Sequence, residues 1–296
     1  MTDQPATDQI STDQISPDQT EYSLPSLSAT LPQLTDRLQL GTSALRVSPY
    51  CLGMIDDPEA VPAAFEAGIN FFFITADMHW PLYAHTRAGL ELLLHRQPEA
   101  RDQIVVAVVA YVTQPEFCIA PFEEVVECVD GLGHLDVAIA GGAYESNMPQ
   151  RMQVLAELRR QQFLGIRAVG ASFHARQAAS DWLNSDQLDI GFVRYNPAHM
   201  GAHQDLFPNL SPDRRSLIYG FKSMSAFEHR EYYGVDEEYW MPEPTDHYRF
   251  VLSTSPLQGI LCSPSTPQEI DELTRATASG PLSADQCEHM IVLAQL

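Results

Sequence analysis

Asp77 and His79 close an apolar run, Ile69-Asn70-Phe71-Phe72-Phe73-Ile74, and Trp80 follows them. The run is long enough for one buried parallel strand, and polar residues at its end suit the point where a strand leaves a core and opens on a site. An imidazole titrates near neutral pH, so His79 is a candidate acid–base group. Asp77, two residues away, would point the same way along a continuing strand and set the tautomer of the ring. Lys222 is the third catalytic candidate. It is the single lysine among 17 basic residues, and it ends the apolar segment 217–221. At a site mouth it would bind a substrate carboxylate, or form a Schiff base if desolvation lowered its pKa. A third chemistry is metal ligation by Asp77, His79, His174 and His199, whose nitrogen and oxygen donors suit zinc or iron, with the metal unknown.

These residues need a scaffold that brings strand ends together. The pattern of apolar runs and helix-period segments predicts strands over 49–54, 69–74, 104–112, 135–140, 167–171, 188–194, 217–221 and 259–262. Helices are expected over 57–68, 81–96, 121–129, 150–163, 176–183 and 246–252. Thr266 with Glu269, and Ser283 with Gln286, open two more as capping boxes. Eight strands alternating with helices imply an α/β fold, a closed parallel (β/α)8 TIM barrel over residues 35–296. A doubly wound open sheet is the alternative, but Gly53-Met54-Ile55-Asp56 is not the Gly-rich loop such a sheet carries after its first strand.

In a barrel, function gathers at the C-terminal strand ends. There the sequence places Trp80, Tyr111, Cys118, His174, Tyr195, Asn196 and His199 as candidate substrate-binding residues. The connection 224–245 is too long for a plain loop. It carries Phe227, Tyr232, Tyr233, Tyr239 and Trp240 and reads as a lid or as a loop packed on the barrel. Residues 1–30 repeat Asp-Gln at a spacing of five and are expected to form a disordered acidic tail.

A formal charge of -22 argues against nucleic acid and anionic membrane surfaces as partners. Five scattered cysteines with no CxxC suit a reducing cytoplasm. No basic segment precedes an apolar N-terminal run, so no signal peptide is expected, and no run is long enough for a membrane span. The expected partner is a small-molecule or peptide substrate, and the oligomeric state is open.

Several motifs together resemble the aldo/keto reductases. Gly68-Ile69-Asn70-Phe71-Phe72-Phe73-Ile74-Thr75-Ala76-Asp77 is similar to that family's second-strand signature. Leu40-Gly41-Thr42-Ser43-Ala44-Leu45-Arg46-Val47-Ser48 resembles its opening hairpin, Gly170-Ala171-Ser172-Phe173-His174 its fifth-strand end, and Arg194-Tyr195-Asn196 its sixth. Thr266-Pro267-Gln268-Glu269-Ile270 resembles the helix start that grips the adenosine end of NADP. The resemblance implies the barrel fold and NADP-dependent carbonyl reduction by an Asp, Tyr, Lys and His set. Those four slots fall on Ile74, His79, Val109 or Ala110, and Gly141. The nicotinamide clamp retains Ser172, but its Asn and Gln fall on Phe173 and Phe192. Ser172, Ser265 and Thr266 are left as weak cofactor-binding candidates, so NADP is possible with its usual contacts largely missing. The resemblance thus leaves three readings. One is a barrel enzyme repurposed for a carbonyl or carboxyl substrate, one a reductase with a substituted proton donor, and one a non-catalytic scaffold or regulatory subunit.

Overall fold

Eight short strands close into one parallel barrel in a computed structural model that describes residues 27–224 and 240–295. They are β3 (Tyr50–Leu52), β4 (Phe71–Thr75), β5 (Val105–Ala110), β6 (Val137–Ala143), β7 (Ala168–Phe173), β8 (Ile190–Arg194), β9 (Leu217–Phe221) and β10 (Gly259–Cys262). They pair in chain order, and β10 closes the ring on β3. An antiparallel hairpin, β1 (Leu38–Gln39) and β2 (Arg46–Val47), precedes the barrel. The outer layer is α1 (Ala60–Glu66), α2 (Ala84–Arg96), α3 (Ile119–Cys128), α4 (Met148–Arg160), α5 (Ala179–Asn184), α6 (Ala202–Asp205), α7 (Pro244–Thr254), α8 (Pro267–Ala278) and α9 (Ala284–Leu293).

The strands are apolar on both faces because both faces are covered. Phe71, Phe73, Val105, Ala107, Val109, Val137, Ile139, Ile190, Phe192 and Tyr219 fill the interior, and Leu40, Leu45 and Val47 of the hairpin plug its base. Phe72, Ile74, Val106, Val108, Val193 and Ile218 face the helices. This alternation fixes which residues reach the mouth. On β4 the inner row is Phe71, Phe73, Thr75; on β8 it is Ile190, Phe192, Arg194. Phe192 packs edge-on to Phe73 at 5.3 Å and to Tyr219 at 5.9 Å, so the barrel centre is solid aromatic.

Asp136 ties the base of the ring. Its carboxylate accepts from Arg101 at 3.0 Å, from the Val106 N–H at 2.8 Å and from Arg167. Burial works to raise its pKa, but His134, Arg101, Val106 and Arg167 together hold it below the ordinary carboxylate value.

Several elements differ from the sequence expectation. The helix expected from residue 81 is a 3-10 turn, Trp80–Tyr83, followed by α2. Pro81 suits such a first turn, and the left-handed backbone of His79 redirects the chain there. The α6 turn was not anticipated; one helical turn is too short to show a period. Packing starts before residue 35: Leu31 and Leu34 are buried, and the Ser28 N–H donates to the Ser253 carbonyl at 2.9 Å. The Asp-Gln repeats and most of the expected lid, residues 225–239, lie outside the described residues. Among the described residues no helix is long and apolar enough to cross a membrane.

Candidate functional site

The C-terminal rim carries two clusters. The first lies over β4, β5 and β6. Asp77 is its joint: Oδ1 accepts from the Met78 N–H at 2.6 Å and Oδ2 from the Tyr111 N–H at 2.7 Å. Both carboxylate oxygens therefore go to backbone, pinning the end of β4 to the end of β5. Asp77 is not the tautomer-setting partner of His79 that the spacing suggested, because the strand does not continue. His79 turns away at φ 72, and its exposed ring stands edge-on to Tyr111, centroids 5.5 Å apart at 83°.

The Tyr111 ring lies over Gly141. A Cβ at Gly141 would come within 2.8 Å of ring carbons of Tyr111, so only glycine fits there. The slot where the resemblance expects a His is thus filled by the phenol of the neighbouring strand. Arg151 reaches in from α4. It is 5% exposed, and its Nη1 donates to the Val112 carbonyl at 2.9 Å. Its buried Nε makes no hydrogen bond, nor does the buried Thr75 hydroxyl on the inner face of β4. Burial raises the Tyr111 pKa, Asp77 adds to the rise, and Arg151 opposes it. Tyr83, from the 3-10 turn, covers Phe73 at 6.2 Å and packs on the inner core beside Tyr111.

The second cluster lies over β7, β8 and β9. The exposed His174 stacks on Tyr144 at 5.6 Å and stands edge-on to Phe221 at 6.3 Å. Asn196 is a bracket: its Nδ2 donates to the Lys222 carbonyl at 2.8 Å, and its Oδ1 faces His199 Nδ1 at 3.0 Å. Lys222 is exposed and left-handed, with φ 54. His199 is half-buried. Burial lowers its pKa, and the charges of Arg194, Arg176 and Lys222 lower it further. Arg176 is held by Asp205 through bonds of 3.0 and 2.8 Å.

His79 and Lys222 thus share the rim, on strands separated by β3 and β10. Three expected site residues do not face the mouth. Tyr195 falls on the outer face of β8. It is wholly buried, with its hydroxyl 2.6 Å from His203 Nε2 and 2.9 Å from Thr254 Oγ1. Cys118 is buried at the start of α3, and its thiol donates to the Pro115 carbonyl at 3.1 Å. Trp80 packs toward the helices under Arg87, whose guanidinium carbon is 3.5 Å from the ring centre. Conversely, Tyr83, Arg151 and Arg194 were not anticipated as mouth residues. Arg194 had a signal, since it follows Ile190 and Phe192 in the inner alternation. Arg151 had none, because only the tertiary fold carries it under β5.

The residues offered for NADP do not fit it. The Glu269 carboxylate accepts the Ser265 N–H at 2.6 Å, and Thr266 Oγ1 accepts the Glu269 N–H at 3.2 Å. A phosphate at the start of α8 would meet that carboxylate and displace the cap. Phe192, in the clamp's Gln slot, is locked in the aromatic core, beside Ser172 in register. Metal ligation gains no support either: among the described residues no group of three or more His, Cys, Asp or Glu side chains could hold an ion. A shallow cleft of 440 Å³ lies at the opposite, N-terminal face, lined by His134, Arg159, Gly165 and Arg167. Its arginines face Asp136 and Asp189 in ion pairs that close the barrel base, so its charge serves the fold.

No protein-family model matches the sequence, and no curated protein matches it. Solved structures do. The chain is similar to an aldo-keto reductase from Bacillus halodurans in its holo form, at TM-score 0.65 and 16% identity over 88% of this chain and 96% of that one. It is similar to a glycerol dehydrogenase from Gluconobacter oxydans at TM-score 0.62 and 11% identity, over 88% and 95%. The fold is therefore the aldo-keto reductase barrel.

Proposed function

We propose that this chain is an aldo/keto reductase-like barrel enzyme that acts on a carbonyl or carboxyl group of a small or peptide-like substrate. Tyr111 and His79 handle the proton. Asp77 positions Tyr111 through its backbone, and Lys222 binds a substrate carboxylate from across the rim. The observation that carries the reading is the Tyr111 ring, seated in the space Gly141 leaves and edge-on to His79. A phenol is a competent proton donor, and Arg151 beside it favours the phenolate left after donation. The misfit of the NADP-binding elements favours proton-transfer chemistry, a lyase or isomerase step, over hydride transfer.

The test is turnover of a panel of aldehydes, ketones and oxo acids, with and without NADPH. Tyr111→Phe should lower kcat by about 10²- to 10⁴-fold and His79→Gln by a smaller factor. Full activity in Tyr111→Phe would reject the assignment. Saturable NADPH binding with NADPH-dependent turnover would restore the reductase reading.

A further inference from the structure

The barrel base holds more positive charge than its ion pairs consume. Arg159 lies in the last turn of α4, His134 precedes β6, and Gly165 and Arg167 precede β7, so one helix end and two strand entries meet around the cleft of 440 Å³. Gly165 stands at φ 73, and a Cβ there would lie 2.8 Å from His134 Cβ, so this wall closes only with glycine. Two carboxylates lie beneath, and both are already occupied. Asp136 accepts from Arg101, the Val106 N–H and Arg167. Asp189 accepts the Thr42 and Val169 N–H groups, each at 2.9 Å, and the Thr42 hydroxyl at 3.1 Å. Arg159 Nη2 stands 3.7 Å from Asp189 Oδ2, too long for a hydrogen bond, and donates instead to the Arg167 carbonyl at 3.3 Å. Three guanidiniums therefore share two carboxylates. Glu157, also on α4, is spent on Arg160 and the Gln161 amide. Arg159 and Arg167 are exposed, and their Nε and Nη1 donors make no hydrogen bond among the described residues. Among the described residues that line the cleft there is no carboxylate, and Gln162 adds an amide.

We propose that this cleft is a phosphate site, taking inorganic phosphate or the phosphate group of a small phosphomonoester between Arg159 and Arg167, with the Gln162 amide as a further donor. The site lies at the face opposite the mouth and does not rest on the chemistry read there. A guanidinium presents a planar fork that matches phosphate oxygens. Two forks and an amide call for more acceptor oxygens than the two of a carboxylate. A dianion also offsets the excess positive charge, which a neutral polyol does not. The cleft volume leaves room beyond the phosphate for a small organic group. Occupancy joins the end of α4 to the entry of β7, so the ligand stabilises the folded chain as its concentration rises.

Calorimetric titration of the full chain tests the site, with ionic strength held constant by NaCl. The probes are inorganic phosphate, methyl phosphate and acetate. Both phosphates should bind saturably and raise the melting temperature, and acetate should bind roughly tenfold more weakly. Arg159→Gln should weaken phosphate by about tenfold or more, and Arg159→Lys should keep part of the affinity. Gln162→Glu places a carboxylate on an exposed position of the cleft and should abolish binding. Its melting temperature without phosphate should equal the parent's, which separates a lost site from a damaged barrel. Methyl phosphate binding at least as tightly as inorganic phosphate assigns the cleft to phosphomonoesters, and tighter binding of inorganic phosphate assigns it to the free ion. Phosphate binding no better than chloride at the same ionic strength overturns the proposal. So does undiminished binding in Arg159→Gln or in Gln162→Glu. Tyr111→Phe should bind phosphate unchanged, so failure of the mouth's chemistry and failure of this site read out separately.

Discussion

Tyr111 and His247 show how one side chain is set by what surrounds it. Tyr111 sits between a carboxylate joint and a buried guanidinium, and its phenol titrates higher than usual because burial outweighs Arg151. Arg151→Met would remove the opposing charge, so the basic limb of the activity profile should move to higher pH, measured as kcat/KM against pH. A role confined to packing would leave the limb in place. His247, on α7, is 3% exposed and burial lowers its pKa to about 4. Its folded value lies below the unfolded value of about 6.5, so the unfolded chain binds the proton first. The stabilisation is complete above pH 6.5 and drains as pH falls toward 4. Urea unfolding between pH 7 and pH 4.5 should lose up to about 3 kcal/mol from this group. His247→Phe should flatten that part of the curve, and an unchanged slope would assign the acid sensitivity elsewhere.

Glycines and buried carboxylates decide how neighbouring strands meet. Gly141→Ala would press a methyl into the Tyr111 ring and the Val109 side chain, both 2.8 Å away. It should cost about 1–3 kcal/mol and displace the phenol, so activity should fall further than the melting temperature suggests. Asp136→Asn should cost about 3–5 kcal/mol by leaving Arg101 buried without its charge partner. A melt within one degree of the parent would contradict that. Legibility in the sequence follows the same divide. β9 and β10 match the expected bounds because each is a short apolar block between turn residues. Both caps were legible because capping is local, but only Ser283 with Gln286 closes the reciprocal box; Thr266 accepts the Glu269 N–H while the Glu269 carboxylate turns to the Ser265 N–H instead. His79 and Lys222 were legible as residue types at strand ends. Tyr195 was misplaced because one step along β8 reverses the face, and its neighbour Arg194 took the inner place. Arg151 and Gly141 could not be paired with Tyr111 from spacing, since β6 and α4 meet β5 only in three dimensions.

The whole molecule is strongly negative. Self-repulsion at a formal charge of -22 opposes compaction, and salt screens it. The melting temperature should therefore rise between about 0.01 and 0.1 M NaCl. The backbone at His79 and Lys222 adds a last consequence. Both hold positive φ without being glycine, a conformation that costs roughly 1 kcal/mol. Replacing either by glycine should give a hardier protein that does less. Selection for heat resistance alone would favour glycine at both positions and would strip both proposed working side chains from the rim.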